Sequence, residues 1–297
     1  MSPLALAFIA VSAVLHASWN ILLKGAGDPL RTATVGMVAA SAVLVPGALV
    51  AWVITGAPPV PTEALLLGFV SGCVEIAYFI FLAAAYRRGD LSVVAPLARG
   101  SAPLLLVAVG VLLLGERLAP LAAAGVALLL AGLLTVQRPW RLLRGSHAAS
   151  RSAAGFALLT GLTIAMYSTI DRIGVRLTEP WLYAAVLWPV CAAGLLGVNW
   201  LRPRVAGGAF APTATALDLR RAIAGGLLTV GAYLLMLAAL SVTPLAVVSP
   251  LRESAMLLTS TWGVIRLGEA VGRREIGLRL AGSLMVLAGV LLLAIGG

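Results

Sequence analysis

Ten apolar runs, each about as long as a helix needs to cross a bilayer, constrain this chain more than any other feature. They cover 4–24, 31–53, 64–86, 91–114, 118–137, 153–177, 181–201, 219–241, 245–267 and 275–296. The breaks carry turn chemistry: Gly25-Ala26-Gly27-Asp28-Pro29 after the first run, Gly56-Ala57-Pro58-Pro59-Val60-Pro61 after the second, Arg87-Arg88-Gly89-Asp90 after the third. In lipid every backbone polar group must be satisfied internally, which leaves helices and closed barrels. The runs far exceed the roughly ten residues of a barrel strand, so helices are predicted. Charged residues make up 11% of the chain, against about a quarter in a soluble domain. Mean hydropathy is +1.05. The fold class is therefore an all-α polytopic membrane protein with ten transmembrane helices. Residues 1–24 have no basic n-region and no A-x-A site, and read as a span rather than a cleaved leader.

An internal repeat divides the chain. A shift of 153 residues lays Arg99-Gly100-Ser101-Ala102 on Arg252-Glu253-Ser254-Ala255, and Leu114-Gly115-Glu116 on Leu267-Gly268-Glu269. Between them Leu104-Leu105 falls on Leu257-Leu258 and Gly110-Val111 on Gly263-Val264, giving ten identities in 18 positions. Apolar helices align by chance in Leu and Ala, but not in Arg, Ser, Gly and Glu together. The last run of each half also repeats an Ala-Gly pair seven residues on, at Ala124-Gly125 and Ala131-Gly132, then at Ala281-Gly282 and Ala288-Gly289. Small residues at that spacing permit close helix packing, as scaffold or as a dimer face. The polar, basic segment 138–152 sits at the midpoint and reads as a linker, giving halves 1–150 and 151–297. Five spans are an odd number, so the second half enters from the opposite face. The halves are then inverted repeats around a central cavity, an architecture that recurs in secondary transporters.

Charge sets an orientation. The net charge is +10, from 21 basic and 11 acidic residues. The basic residues lie between apolar runs without forming a dense tract, which points to anionic headgroups rather than nucleic acid. About 15 of them fall in one set of loops, including Arg87, Arg88, Arg138, Arg141, Arg144 and Arg151, while the other set holds Arg117, Arg176 and Arg172. Positive-inside counting then makes the linker cytoplasmic and both termini non-cytoplasmic. Lys24 is the only lysine; that arginine bias, with abundant Ala, Gly and Leu, suits a GC-rich bacterial genome and a bacterial cytoplasmic membrane. Cys73 and Cys191 both fall inside apolar runs, without metal-ligand spacing, and read as buried small hydrophobes.

His16-Ala17-Ser18-Trp19-Asn20, Tyr86-Arg87-Arg88-Gly89-Asp90-Leu91-Ser92, Pro96-Leu97-Ala98-Arg99-Gly100-Ser101-Ala102-Pro103 and the two Leu-Gly-Glu endings together resemble the EamA-like branch of the drug/metabolite transporter superfamily. The resemblance covers nearly the whole chain. It implies spans one to four and six to nine around a cavity, with spans five and ten outside as scaffold. It implies a transporter without naming a substrate, since the family moves amino acids, sugars, nucleotide derivatives and drugs. Many members are thought to have cytoplasmic termini; the loop charges here predict the reverse.

A charge near the bilayer centre costs about 3 kcal/mol or more, so the ionisable residues at depth are the site candidates. Arg99 and Arg252 lie about eight residues into spans four and nine, just after Pro96 and Pro250. Guanidinium forks match carboxylate and phosphate, so the pair is predicted to bind substrate. The competing reading pairs Arg99 with Glu75, and Arg252 with Glu253 or Asp171, to fix packing. Glu75, near the middle of span three, is a candidate proton carrier, because burial disfavours a carboxylate's charged form; a permanent counter-ion role stands beside it. Glu253 is a second candidate ligand. His16 and Asn20, one turn apart, share a face of span one, and Asp171-Arg172 occupies the matching region of span six. His16 and Asp171 are candidates for proton coupling, with packing roles as the alternative. Trp19 and Tyr167 lie beside these positions, and Asn20 and Tyr167 are taken as substrate contacts. Glu116 and Glu269 end spans four and nine and are expected near the surface beside Arg117 and Arg273-Arg274, as terminal salt bridges or loop contacts.

The function these residues predict is secondary active transport of a small anionic or zwitterionic metabolite by alternating access. The alternatives are a proton-coupled exporter of organic cations or drugs, and a lipid-linked sugar flippase. An enzyme is not expected. There are two histidines, one of them (His147) in a loop, with no H-E-x-x-H, no phosphate-binding Walker loop and no recognisable nucleophile context. No cofactor and no metal are expected. The partners are a small-molecule metabolite and the lipid bilayer, with the chain a monomer or homodimer.

Overall fold

The computed structural model describes residues 2–24, 26–88, 91–137, 148–202, 216–253 and 273–296. Among them are ten helices: α1 (Pro3–Lys24), α2 (Pro29–Ile54), α3 (Thr62–Arg88), α4 (Leu91–Leu112), α5 (Pro120–Gln137), α6 (Ala148–Gly174), α7 (Pro180–Leu201), α8 (Leu219–Val242), α9 (Leu245–Glu253) and α10 (Arg273–Gly296). Six of these (α1, α2, α3, α6, α7 and α8) are long and apolar enough to cross a membrane, and α4, α5 and α10 contain shorter apolar stretches. The run expected over 245–267 is described only as far as Glu253.

Local chemistry sets the helix ends. Asp28 caps α2, accepting from the Arg31 amide at 3.1 Å, with proline in the first turn. Asp218 caps α8 through the Arg221 amide at 3.0 Å. α6 begins at Ala148, inside the segment expected as a linker. Hydropathy reports how much of a helix lies in lipid; helix-forming residues continue it beyond that depth.

The helices pack in a pattern that survives exchange of the halves. α1 lies against α8 as α6 lies against α3, and α2 against α8 as α7 against α3. α2 meets α7, α4 meets α9, and α5 meets α10. The α5–α10 contact explains the repeated Ala-Gly pairs. A Cβ on Gly125 would lie 3.0 Å from the Gly289 carbonyl oxygen, and one on Gly132 would lie 2.6 Å from that of Gly282. The small-residue stripes therefore face each other within the chain.

The outside is apolar and the inside holds charge, the reverse of a soluble protein. Val43, Leu49, Val53, Leu66, Leu284 and Ile295 are exposed, while Glu75, Asp171, Arg172 and Arg252 are buried. Cys191 is buried as expected, but Cys73 is exposed. It lines an apolar groove of about 410 Å3 between α3 and α6. A helix that is apolar all round can turn a cysteine to lipid as readily as to the core, and hydropathy does not distinguish the two.

A buried ion pair ties the halves together at the face carrying the basic loops. Arg202, at the end of α7, donates from Nη2 to Asp28 Oδ2 at 3.0 Å and from Nη1 to Asn199 Oδ1 at 2.7 Å. Asn199 in turn donates to Thr34 Oγ1 of α2 at 2.6 Å. Removing one member of a buried pair strands the other charge. Arg202→Ala should therefore cost about 3 kcal/mol or more, measured as unfolding of the purified protein on titration with a denaturing detergent. Arg221→Ala, at the exposed pair with Asp218, should cost less than about 1 kcal/mol in the same assay.

Candidate functional site

Because the spans are apolar on nearly every side, their few polar residues mark where the protein turns away from lipid. Glu75 of α3, Asp171 of α6 and Arg252 of α9 are 2%, 0% and 8% exposed, and they converge on one buried centre. Asp171 accepts from Ser71 Oγ at 2.5 Å, from the Tyr183 hydroxyl at 3.0 Å, and from the Tyr233 hydroxyl. Those three bonds use most of the roughly four acceptor positions of a carboxylate. Glu75 is buried one turn from Ser71 on the same helix, α3.

Arg252 is held by weaker partners. Its Nη1 donates to Met236 Sδ at 2.7 Å, and Nη2 lies 3.1 Å from His16 Nδ1. The guanidinium sits 5.9 Å from the Tyr233 ring centroid, and among the described residues the buried Nε has no hydrogen-bond acceptor. A thioether and an imidazole are poor acceptors beside a carboxylate or phosphate, which a guanidinium binds through charge-assisted bonds. Against Arg252 lies a cavity of about 10 Å3, lined also by Leu106, Ser168, Met236, Leu245 and Ser249. That volume suits a single water.

Aromatic rings surround these charges as a continuous chain. Trp19 meets Phe79, Phe79 meets Tyr78, Tyr78 meets Tyr167, Tyr167 meets Tyr233, and Tyr233 meets Trp188, with centroids between 4.9 and 6.1 Å apart. Edge-on packing of this kind rigidifies the walls and presents ring faces that attract cations. Of the five tyrosines in the chain, Tyr78, Tyr167, Tyr183 and Tyr233 are buried here.

Of the residues singled out from sequence, His16, Glu75, Tyr167, Asp171 and Arg252 come together. Asn20 adjoins them, donating to the His16 carbonyl oxygen at 2.6 Å. The side chains of Arg99 and Glu253 lie outside the described residues. Glu116 differs from expectation. It does not sit at the surface with Arg117; its carboxylate is buried, 3.2 Å from Arg172 Nε, and it accepts from the Leu245 and Ala246 amides of α9 at 2.8 and 3.0 Å. The cause is Gly115, whose φ of +63° turns the chain inward after α4. Sequence reasoning missed Ser71, Tyr78, Tyr183, Trp188, Tyr233 and Met236. A signal existed for two of them, because Ala77-Tyr78 with Leu82-Ala83-Ala84 recurs as Ala232-Tyr233 with Leu237-Ala238-Ala239.

The model of the EamA-like transporter family matches residues 3–137 and again residues 151–295. A solved crystal structure of a protein at 17% identity matches with a TM-score of 0.72, covering 98% of this chain and 98% of that one. At that identity the likeness speaks for the fold alone. No curated protein matches the chain. With both halves matched by the family model across nearly the whole length, this multi-pass membrane protein belongs to the EamA-like transporter family of the drug/metabolite transporter superfamily.

Proposed function

We propose that the chain is a secondary transporter moving a small anionic or zwitterionic metabolite by alternating access, with Arg252 of α9 and Arg99 of α4 as its anion ligands. Arg252 carries the proposal: a buried guanidinium beside a small cavity, met among the described residues by His16, Met236 and a ring face, with no acceptor for Nε among them. Glu75 and Asp171 nearby favour a zwitterion, whose ammonium would meet carboxylate and tyrosine faces while its carboxylate meets Arg252. The helix packing, which survives exchange of the halves, supports ten spans as two inverted five-helix repeats, 1–150 and 151–297. The loop arginines support a cytoplasmic linker and outward termini in a bacterial cytoplasmic membrane.

Glu75 is the proton carrier in this reading. Asp171 is held as an acceptor by three hydroxyls, and Glu75 is the other buried carboxyl, one turn from Ser71. The Tyr233 hydroxyl has one proton, which it donates to Asp171. Glu75→Gln keeps the size of the side chain and cannot carry a proton. It should leave the fold intact and abolish uptake driven by an imposed pH gradient in proteoliposomes; proton-driven uptake equal to wild type would refute the role. His16, against Arg252, is the neighbouring relay candidate.

A second reading, export of an organic cation, is favoured by the two buried carboxylates and the tyrosine rings around them. A thermal-stabilisation screen of metabolites on the purified protein separates the two. Compounds bound by the arginines should stabilise wild type but neither Arg252→Ala nor Arg99→Ala. Cationic compounds should instead lose their effect on Glu75→Gln.

A further inference from the structure

Among the described residues, a polar knot lies between the cavity beside Arg252 and an open vestibule. The vestibule, of about 540 Å3, is lined by Pro58, Pro59, Arg176, Thr178, Glu179 and Ser241, among others. It lies at the face opposite the Asp28–Arg202 tie, where α2, α6 and α8 end. The cavity beside Arg252 is lined by Leu240 and Leu245, and Ser241 and Val242 line the vestibule. The residues between the two spaces are thus the last turn of α8 and the first turn of α9.

Both turns are clamped by one ion pair. Arg172 donates from Nη1 to the Leu240 carbonyl oxygen, and its Nε meets Glu116 Oε1 at 3.2 Å. Glu116 accepts from the Leu245 and Ala246 amides at the start of α9, where a carboxylate is also favoured by the helix dipole. The seat is shaped for it: Gly115 turns the carboxylate inward, and a Cβ on Gly110 would lie 2.5 Å from Glu116 Oε2. Arg172 follows Asp171 directly, so the two point roughly 100° apart on α6, one into the clamp and the other into the central cluster.

We propose that Glu116 and Arg172 form the inner gate of this vestibule, holding the α8–α9 junction shut and parting when the central site opens to that face. A rearrangement at Asp171 reaches the gate through its covalent neighbour. The inference rests on the transport reading, but its test needs no substrate and so stands or falls separately from the ligand assignment.

The test is thiol accessibility in sealed vesicles, with Cys73 replaced by alanine and a reporter introduced by Ser249→Cys in the cavity wall. A Thr178→Cys version identifies the vesicle preparation whose outer surface is the vestibule face. With a membrane-impermeant maleimide added outside, Glu116→Gln and Arg172→Gln should each raise labelling of the Ser249→Cys thiol about tenfold, the shift expected from losing a buried charge-assisted hydrogen bond. Native Cys191, fully buried, should stay unreactive. Unchanged labelling in both variants would overturn the gate, and so would equal gains at Cys191, which signal general loosening. If a glutamine variant does not fold, Arg172→Lys, which keeps the charge and loses the fork, is read by the same criteria.

Discussion

Arg252→Gln should abolish transport while the protein still folds. The expected loss in transport efficiency is about 3 kcal/mol or more, on the order of a hundredfold, measured as substrate uptake into proteoliposomes. The fold should survive because the direct partners of Arg252 are neutral: Met236 Sδ, the His16 ring and the face of Tyr233. Among the described residues, removing the guanidinium breaks no ion pair. Arg252→Lys should not restore activity, because a lysine cannot present two parallel donors to a carboxylate and does not match the planar fork lying over Tyr233. Normal uptake by Arg252→Gln, with the same ligand stabilisation as wild type, would remove the proposed anion site.

The second large effect concerns packing. Gly226→Ala should strongly destabilise the protein, whereas Gly225→Ala should not. A Cβ on Gly226 would run into the backbone carbonyl of Gly36, and a Cβ on Gly36 would lie 2.7 Å from the Ala222 carbonyl oxygen. Neither backbone atom can rotate away, so α2 and α8 must separate. The expected cost is about 1–3 kcal/mol for a single methyl, and more because lipid offers no hydrophobic reward for re-docking. At Gly225 no atom of the described residues lies within 4 Å of the added Cβ, and alanine improves helix propensity by about 1 kcal/mol. Unfolding midpoints in a denaturing-detergent titration should place the Gly226 variant well below wild type and the Gly225 variant at or above it. Equal midpoints for the two would show that the α2–α8 contact is dispensable.

These two predictions draw on different depths of reading. Arg252 was singled out by its distance along an apolar run and by its match to Arg99, and it is buried. That Gly226 is indispensable and Gly225 is not could not be read from the sequence, because two adjacent glycines look alike until a neighbouring backbone is placed against one of them. The tyrosines belong with the glycines. Tyr183 and Tyr233 come from distant spans and meet only because α7 and α8 both flank Asp171. Glu116 is intermediate: its repeat with Glu269 announced a role, but its partners Arg172, Leu245 and Ala246 lie 56 to 130 residues away.

Taken alone, the sequence determined the quantities that run along the chain: which stretches are apolar enough to enter lipid, where the repeat begins again, and which family the pattern matches. Only the tertiary structure decided direction around each helix axis, and with it the company each side chain keeps. The physical reason is that lipid and the protein's own packed interior are both apolar. A membrane helix has no polar face by which its periodicity could reveal the inward side, so partners such as His16 with Arg252, or Glu116 with the start of α9, emerge only when the helices are packed.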